Sequence, residues 1–278
     1  MNFELSCEFF PPNTDEGAEK LCEVRQALRA LRPAFFSVTY GAGGSTRNRT
    51  FEAVIKMQEE GGCDAAPHLT CVASTRDGVR AILELYRGHG IHRIVALRGD
   101  MPSGMLDPGE FSHANELVAF IRAETGSHFH IEVAAYPEYH PQATNPAKDL
   151  EHFRRKVEAG ADGAITQYFY NADAYFRFLD DCARIGIGVP VVPGIMPITN
   201  FVQLARFSDA CGAEIPRWVR RRLESFGDDR DAIRAFGLDV VTALCERLLA
   251  GGAPGLHFYT MNQSAAVLAI CDRLGLVH

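Results

Sequence analysis

The chain has 278 residues, with 28 Lys and Arg against 35 Asp and Glu, for a net charge of −7 and a pI near 5.8. That balance excludes a broad basic face and so argues against nucleic acid as the main partner, while leaving room for an anionic small ligand held by local donors. With 47% hydrophobic and 23% charged residues, the composition is that of a globular protein, and the length is that of one β/α barrel.

Short apolar runs alternate with longer stretches of helical periodicity. Residues 5–10 read as a strand and 14–31 as a helix; 35–40 and 49–60, then 65–71 and 75–88, repeat the pattern. It continues with strand 91–97 and helix 112–125, strand 130–135 and helix 149–159, and strand 163–169 and helix 172–185. A seventh strand is predicted at 189–193 and an eighth at 256–259, followed by a last helix over about 263–274. Residues 194–255 interrupt the rhythm and hold several helices, 230–249 among them. Eight strand–helix units in this length predict an α/β fold, a single (β/α)8 TIM barrel over 1–278 with extra helices between strands seven and eight. The interrupting region carries Arg217-Trp218-Val219-Arg220-Arg221-Arg222, which reads as a solvated helix face or as a contact surface.

No apolar run approaches the roughly 18 residues of a membrane span. The first residues lack the basic and apolar regions of a signal peptide. The eight cysteines form no Cys-x-x-Cys and read as reduced thiols of a cytoplasmic protein.

In such a barrel, chemistry sits where strands run out into the following loops. Strand one ends in Cys7-Glu8-Phe9-Phe10-Pro11-Pro12. A carboxyl between apolar neighbours should have its neutral form favoured by desolvation, which suits a general acid; pairing with a barrel arginine is the other reading. Strand two ends in Thr39-Tyr40-Gly41-Ala42-Gly43-Gly44, a ligand loop or a tight turn, with neither a P-loop nor a dinucleotide fingerprint. Strand three ends at His68, and strand four in Arg98-Gly99-Asp100, which offers a cation, a close-approach point and an anion. Strand five ends in Tyr136-Pro137-Glu138-Tyr139-His140, where Tyr136 can stack on a planar ring. Strand six ends with Gln167 among aromatics, and strand eight in His257-Phe258-Tyr259-Thr260-Met261-Asn262-Gln263. His68, His140 and His257 near strand ends lack metal-site spacing, so no metal is expected, and no Gly-x-Ser-x-Gly elbow points to a hydrolase.

Taken in order, these segments resemble the methylenetetrahydrofolate reductase family in its short form without a regulatory domain. The matching motifs are Glu8-Phe9-Phe10-Pro11-Pro12, Val38-Thr39-Tyr40-Gly41-Ala42, Ala66-Pro67-His68-Leu69-Thr70 and Ala96-Leu97-Arg98-Gly99-Asp100 in the first half. Ala135-Tyr136-Pro137-Glu138, Ala164-Ile165-Thr166-Gln167, Pro193-Gly194-Ile195 and His257-Phe258-Tyr259-Thr260 follow in the second.

The resemblance implies noncovalent FAD, NADH or NADPH as hydride donor, and reduction of 5,10-methylenetetrahydrofolate to 5-methyltetrahydrofolate in two half-reactions on one flavin face. NADH is preferred weakly, since no arginine cluster is aimed at a ribose phosphate. It implies a cytoplasmic homo-oligomer with no nucleic-acid or membrane partner. By the same resemblance Glu8 is the general acid and Asp100 the carboxylate near flavin and pterin. Thr39, Tyr40, Ala42, His68, Arg98, Gly99, Asp100, His113, Ala114, Tyr136, His140, Ala143, Asp149, His152, Arg155 and Lys156 are implied as cofactor-binding, with Thr39 near the nicotinamide. Glu8, Asp100, Gln167, Gln203, Phe207 and Gln263 are implied to contact the folate. The chain departs from the family at Gln263, where an Arg is usual, at His113, where a Tyr is common, and at Gly43-Gly44, in place of a bulkier stretch. Two rival readings stand beside this one. A zinc-dependent methyltransferase barrel would use a thiolate site hinted at only by Cys63, and a flavin- or folate-binding protein without turnover would dispense with Glu8 or Asp100.

Overall fold

The computed structural model describes residues 3–40, 44–99 and 109–277, with 44–48 described by their backbone alone. The chain order is β1 (Glu4–Phe9), α1 (Asp15–Leu28), β2 (Phe35–Val38), α2 (Gly44–Glu60), β3 (Asp64–Thr70), α3 (Arg76–Gly88) and β4 (Arg93–Leu97). Then come α4 (Ala114–Thr125), β5 (His130–Ala135), α5 (Pro146–Glu158), β6 (Gly163–Thr166), α6 (Ala172–Arg184), β7 (Val191–Val192) and β8 (Gly194–Ile195). The chain ends with α7 (Phe201–Cys211), α8 (Arg217–Ser225), α9 (Arg230–Ala250), β9 (Gly255–Tyr259) and α10 (Ala265–Arg273).

Every paired strand runs parallel, in the order β7-β6-β5-β4-β3-β2-β1-β9-β8. The seventh barrel strand is broken at Pro193, which has no N–H to give to a ladder. Its first half pairs with β6 and its second half with β9, so one short segment joins both edges and closes the barrel. Gly194 sits at this joint because a side chain would not fit: a Cβ there would lie 2.2 Å from the Thr166 carbonyl oxygen. Gly194 N–H instead donates to Thr166 Oγ1 at 2.9 Å, and Tyr259 OH donates to the Thr166 carbonyl at 2.7 Å.

The strands alternate with period two. Leu5, Cys7, Phe9, Phe36, Val38, Leu69, Ile94, Ala96, Ile131, Val133 and Phe258 join one large buried cluster with the surrounding helices. The intervening residues face the lumen, where Phe35, Ala66, Val95 and Ile165 form a separate small core. Below that core Arg93 Nη1 bridges Glu132 Oε1 at 2.6 Å and Glu4 Oε1 at 3.2 Å, with its guanidinium 4.5 Å from the Phe35 ring centre. This paired charge plugs the end of the barrel away from the mouth.

Helix starts follow side-chain caps. Thr14, Thr75, Asn200 and Asp229 accept from the backbone N–H three residues on, at 2.9–3.1 Å. Helix α5 begins earlier than its periodicity predicts, because Asn145 caps it and Pro146 occupies the first turn, where its missing N–H costs nothing. The expected second and sixth strands are shorter in the structure, ending at Val38 and Thr166, where the chain leaves the sheet to shape the mouth. In α8, Val219 and Leu223 are buried while Arg217, Arg221 and Arg222 are exposed, so the helix turns its basic side outward.

Candidate active site

The alternation that builds the barrel also places the site. On β1, Glu4, Ser6 and Glu8 point into the lumen at successive levels, with Glu8 at the mouth. Glu8 opens into a cavity of about 790 Å³, within the range of small-molecule and cofactor sites. Val95 and Ile165 form its floor, and Thr39, Tyr40, His68, Gly99, Tyr136, His140, Gln167 and Phe207 stand on its walls.

Glu8 has neighbours from two other strands. Its Oε2 lies 3.2 Å from His68 Nε2 on β3 and 3.6 Å from His257 Nε2 on β9. Neither imidazole nitrogen makes an aligned hydrogen bond in this arrangement. Burial is the largest single influence on the Glu8 carboxyl and pushes it up. The two histidines together outweigh it and hold the group at about 2. Desolvation thus acts toward the neutral form, as the sequence suggests, and the two imidazoles oppose it. The alternative pairing with an arginine is not what the structure contains.

Around the mouth the backbone is held in left-handed conformations that non-glycine residues seldom adopt, at Ala73 (φ 57°), Tyr139 (φ 62°), Met261 (φ 53°) and Asn262 (φ 54°). Ala73 and Met261 line the cavity. Asn262 ties the last loop to the first, its Oδ1 accepting from Phe10 N–H at 2.9 Å and its Nδ2 donating to the Phe10 carbonyl at 3.1 Å. Gly99 has φ 83°, and a Cβ would meet Thr70 and Val72 at 2.9 Å, so the turn after β4 requires glycine.

The remaining sequence-based candidates divide into four groups. Ala143, Asp149 and Lys156 brace the cavity from behind. Ala143 N–H donates to the His140 carbonyl at 2.8 Å, Asp149 Oδ2 accepts from His140 N–H at 2.9 Å, and Lys156 Nζ donates to the Ala134 carbonyl at 2.5 Å. Burial pushes Lys156 down to about 8, against the pull of Asp149. Arg98 flanks the mouth, donating to Gln142 Oε1 at 2.6 Å.

His113, Ala114, His152, Arg155, Gln203 and Gln263 do not line the cavity. The rings of His113 and His152 stack at 5.8 Å, and Arg155 pairs with Glu151 at 2.5 Å. Gln203 and Gln263 are exposed. Ala42 and Asp100 lie outside the described residues.

Sequence reasoning assigned no role to Ser6, His257 or Tyr259, which the structure brings to the centre. The signal was the period-two pattern of β1 and β9, whose lumen positions carry Ser6 and Glu8 and, across the pairing, His257 and Tyr259. Tyr168 OH and Ser208 Oγ, 3.1 Å apart, seat α7 so that Phe207 reaches the cavity. Among the described residues, no three His, Cys, Asp or Glu side chains come together as a metal site, and Cys63 donates to the Pro33 carbonyl at 3.4 Å.

A family model described as Methylenetetrahydrofolate reductase matches residues 1–275. The 5,10-methylenetetrahydrofolate reductase of Salmonella typhimurium is 41% identical over 272 residues, spanning 98% of this chain and 90% of that protein. The enzyme of the same name from Escherichia coli is 40% identical with the same coverage. Methylenetetrahydrofolate reductase (NADH) 1 of Zea mays is 39% identical over 286 residues, covering 98% of this chain and 48% of the plant protein. Among solved structures, an uncharacterized protein from Clostridium thermocellum that binds two copies of 5-methyl-5,6,7,8-tetrahydrofolic acid superposes with TM-score 0.68. It is 16% identical, with 99% of this chain and 94% of that one covered, a likeness of fold alone.

Proposed function

We propose, from the premise that this chain belongs to the methylenetetrahydrofolate reductase family, that its cavity carries out an FAD-dependent reduction of 5,10-methylenetetrahydrofolate by NADH or NADPH in two half-reactions. The chain is an oxidoreductase of that family. The observation that carries the mechanistic reading is the Glu8 carboxyl at the mouth of a cavity of about 790 Å³, with one oxygen 3.2 Å from His68 Nε2 and 3.6 Å from His257 Nε2.

The residues present fit FAD. Tyr40, Tyr136 and His140 offer aromatic surface for a planar ring, and the turn at Gly99 allows close backbone approach. Arg98 at the mouth supplies a cation for a diphosphate, and the family resemblance assigns a second to Lys156, whose ammonium stands behind the wall on the Ala134 carbonyl. When bound, FAD supplies a two-electron carrier that can take hydride from a nicotinamide and give it to a folate.

The chain's own residues do the rest. Gln167 and Phe207 stand where a pterin or a nicotinamide could be held by an amide and an aromatic face. Glu8 moves the proton: the amine nitrogen leaving the methylene bridge takes a proton as its carbon–nitrogen bond breaks, and the iminium left behind is the hydride acceptor. Asp100 is assigned the carboxylate beside flavin and pterin on the family resemblance. NADH is the donor favoured, in line with the names of the plant relatives.

The test is anaerobic stopped-flow on the purified protein. A yellow protein whose flavin absorbance bleaches with NADH and recovers with methylene-folate is expected. A colourless protein, or a flavin that NADH and NADPH leave oxidised, overturns the reading.

A further inference from the structure

The loop that follows β5 stands on the cavity wall with Tyr136, His140 and Gln142. It also grips the far end of α7. Glu138 Oε2 accepts from Glu214 N–H at 2.8 Å, a bond across 76 residues of chain. Three residues on, Pro141 packs against Gly212, where a Cβ would lie 2.7 Å from the proline Cγ. Gly212 ends α7 in the left-handed region at φ 77°, its N–H donating to the Ser208 carbonyl at 2.9 Å. A glycine is therefore required twice over, for the turn and for the room it leaves the loop.

A narrow crevice runs along this seam between Glu138 and Gly212. Tyr136, Gln167, Tyr168 and Cys211 line both the crevice and the main cavity, so the seam lies directly behind the cavity wall. Glu138 is half-buried there. Burial pushes its carboxyl up, and the bond from the Glu214 N–H opposes that. Among the described residues no lysine or arginine pairs with it. A carboxyl withdrawn from water for a single bond to a neutral donor adds little to stability, so its value lies in what the bond holds in place. What it holds is α7, which has two seats. Tyr168 OH meets Ser208 Oγ at 3.1 Å, and Glu138 with Pro141 takes the end of the helix one turn later. Phe207, Ala210 and Cys211, the α7 residues on the cavity wall, lie beside these seats.

We propose that Glu138 is a positioning residue for substrate binding: by tying the turn after α7 to the β5 loop, it sets how far Phe207 stands into the cavity. The inference rests on the reading of the cavity above, in which Phe207 meets nicotinamide and folate. Without the bond the Tyr168–Ser208 seat keeps α7 in place, but the end of the helix is released and Phe207 can draw back. Glu8 is not displaced by this, so binding weakens while the chemical step is kept. Such a change appears in KM and leaves kcat nearly alone.

The experiment is steady-state kinetics of the flavin-loaded protein with Glu138→Ala, Glu138→Asp and Glu138→Gln, the first also combined with Phe207→Ala. Glu138→Ala should raise the KM for folate and for NADH each by roughly fivefold, the size of one hydrogen bond, with kcat within about twofold of wild type. Glu138→Asp, one methylene short, should do the same, and it carries the test if the alanine variant does not fold. Glu138→Gln keeps an oxygen that can accept the Glu214 N–H and should restore both KM values. In the Phe207→Ala background Glu138→Ala should add nothing further, since it acts through that ring. Wild-type KM values in the alanine and aspartate variants overturn the proposal, even where their Tm falls. So does a Glu138→Gln variant as weak as Glu138→Ala, or full additivity with Phe207→Ala. If Phe207→Ala alone leaves both KM values at wild type, the reading of Phe207 beneath the proposal fails, and the proposal with it.

Discussion

His68 Nε2 lies 3.2 Å from Glu8 Oε2, although the two residues come from β1 and β3, with β2 between them. They meet because both are lumen positions at the mouth. The contact, with that of His257, opposes the burial that pushes the carboxyl up and brings it below its ordinary value.

Glu8→Gln keeps the size of the side chain and removes its charge and its proton-carrying oxygen. The folate half-reaction should fall roughly 10²–10⁴-fold, with flavin binding and its reduction by NADH retained. Single-turnover oxidation of the reduced flavin by methylene-folate measures it; a rate within a few-fold of wild type would remove Glu8 from the mechanism.

The same pair of contacts has a stability consequence. Glu8 titrates at about 2 in the folded protein against an ordinary 4.5, so folding favours the ionised form. That stabilisation is complete above the ordinary value and is lost as the pH falls through the folded one. Wild type should exceed Glu8→Gln by on the order of 2–3 kcal/mol near pH 5, and the gap should close toward pH 2. Urea unfolding at the two pH values reads it, and an equal gap at both would contradict the pairing.

The sequence made the barrel legible because a parallel strand buried on both faces reads as an apolar run, and the helices between carry their own period. The break at Pro193 was not legible as such, since only closure of the ring shows that 191–192 and 194–195 pair with different neighbours. Glu8 was visible as a carboxyl among apolar residues. Its ionisation was not, because His257 lies 249 residues away and reaches it only through the β1–β9 pairing. Lys156 and Arg155 were both implied as cofactor-binding, yet Lys156 turns inward to Ala134 while Arg155 turns out to Glu151.

Gly194→Ala tests the joint that closes the barrel. The added carbon would lie 2.2 Å from the Thr166 carbonyl and 2.6 Å from the Tyr259 ring. Both atoms belong to a hydrogen-bonded pair that cannot separate freely. A loss of about 3 kcal/mol or more is expected, seen as a fall in Tm of roughly 6 °C or more. Gly188→Ala, with open space around it, is the control and should move Tm little.

On the proposed FAD reading, Lys156 should make cofactor affinity depend on pH. Its ammonium is pushed down to about 8 by burial, so it is cationic below that value and neutral above it. A diphosphate binds the cation. FAD affinity should therefore fall as the pH rises, beginning near 8, and Lys156→Arg should flatten the dependence because a guanidinium stays charged. Lys156→Met should weaken binding by roughly 10–100-fold at neutral pH, the size of one charged hydrogen bond. Quenching of FAD fluorescence on titration with apoprotein measures each, and a flat wild-type profile would place Lys156 away from the phosphates.

Gln263 departs from the family's usual arginine and is exposed, two residues beyond Met261 on the cavity wall. Its backbone N–H is fixed by the Thr260 carbonyl at 3.0 Å, so the loop is held in place while the side chain is free to be longer. An arginine here extends further than the amide and carries charge, so it can reach an anionic part of folate across the rim. A bond to a charged group contributes about 1.5–3 kcal/mol against about 1 for a neutral one, a gain on the order of fivefold in affinity. Gln263→Arg should lower the folate KM several-fold, more at low salt than at high, with flavin reduction by NADH unchanged. A folate KM that stays flat at every ionic strength would mean that the rim at position 263 does not touch the substrate.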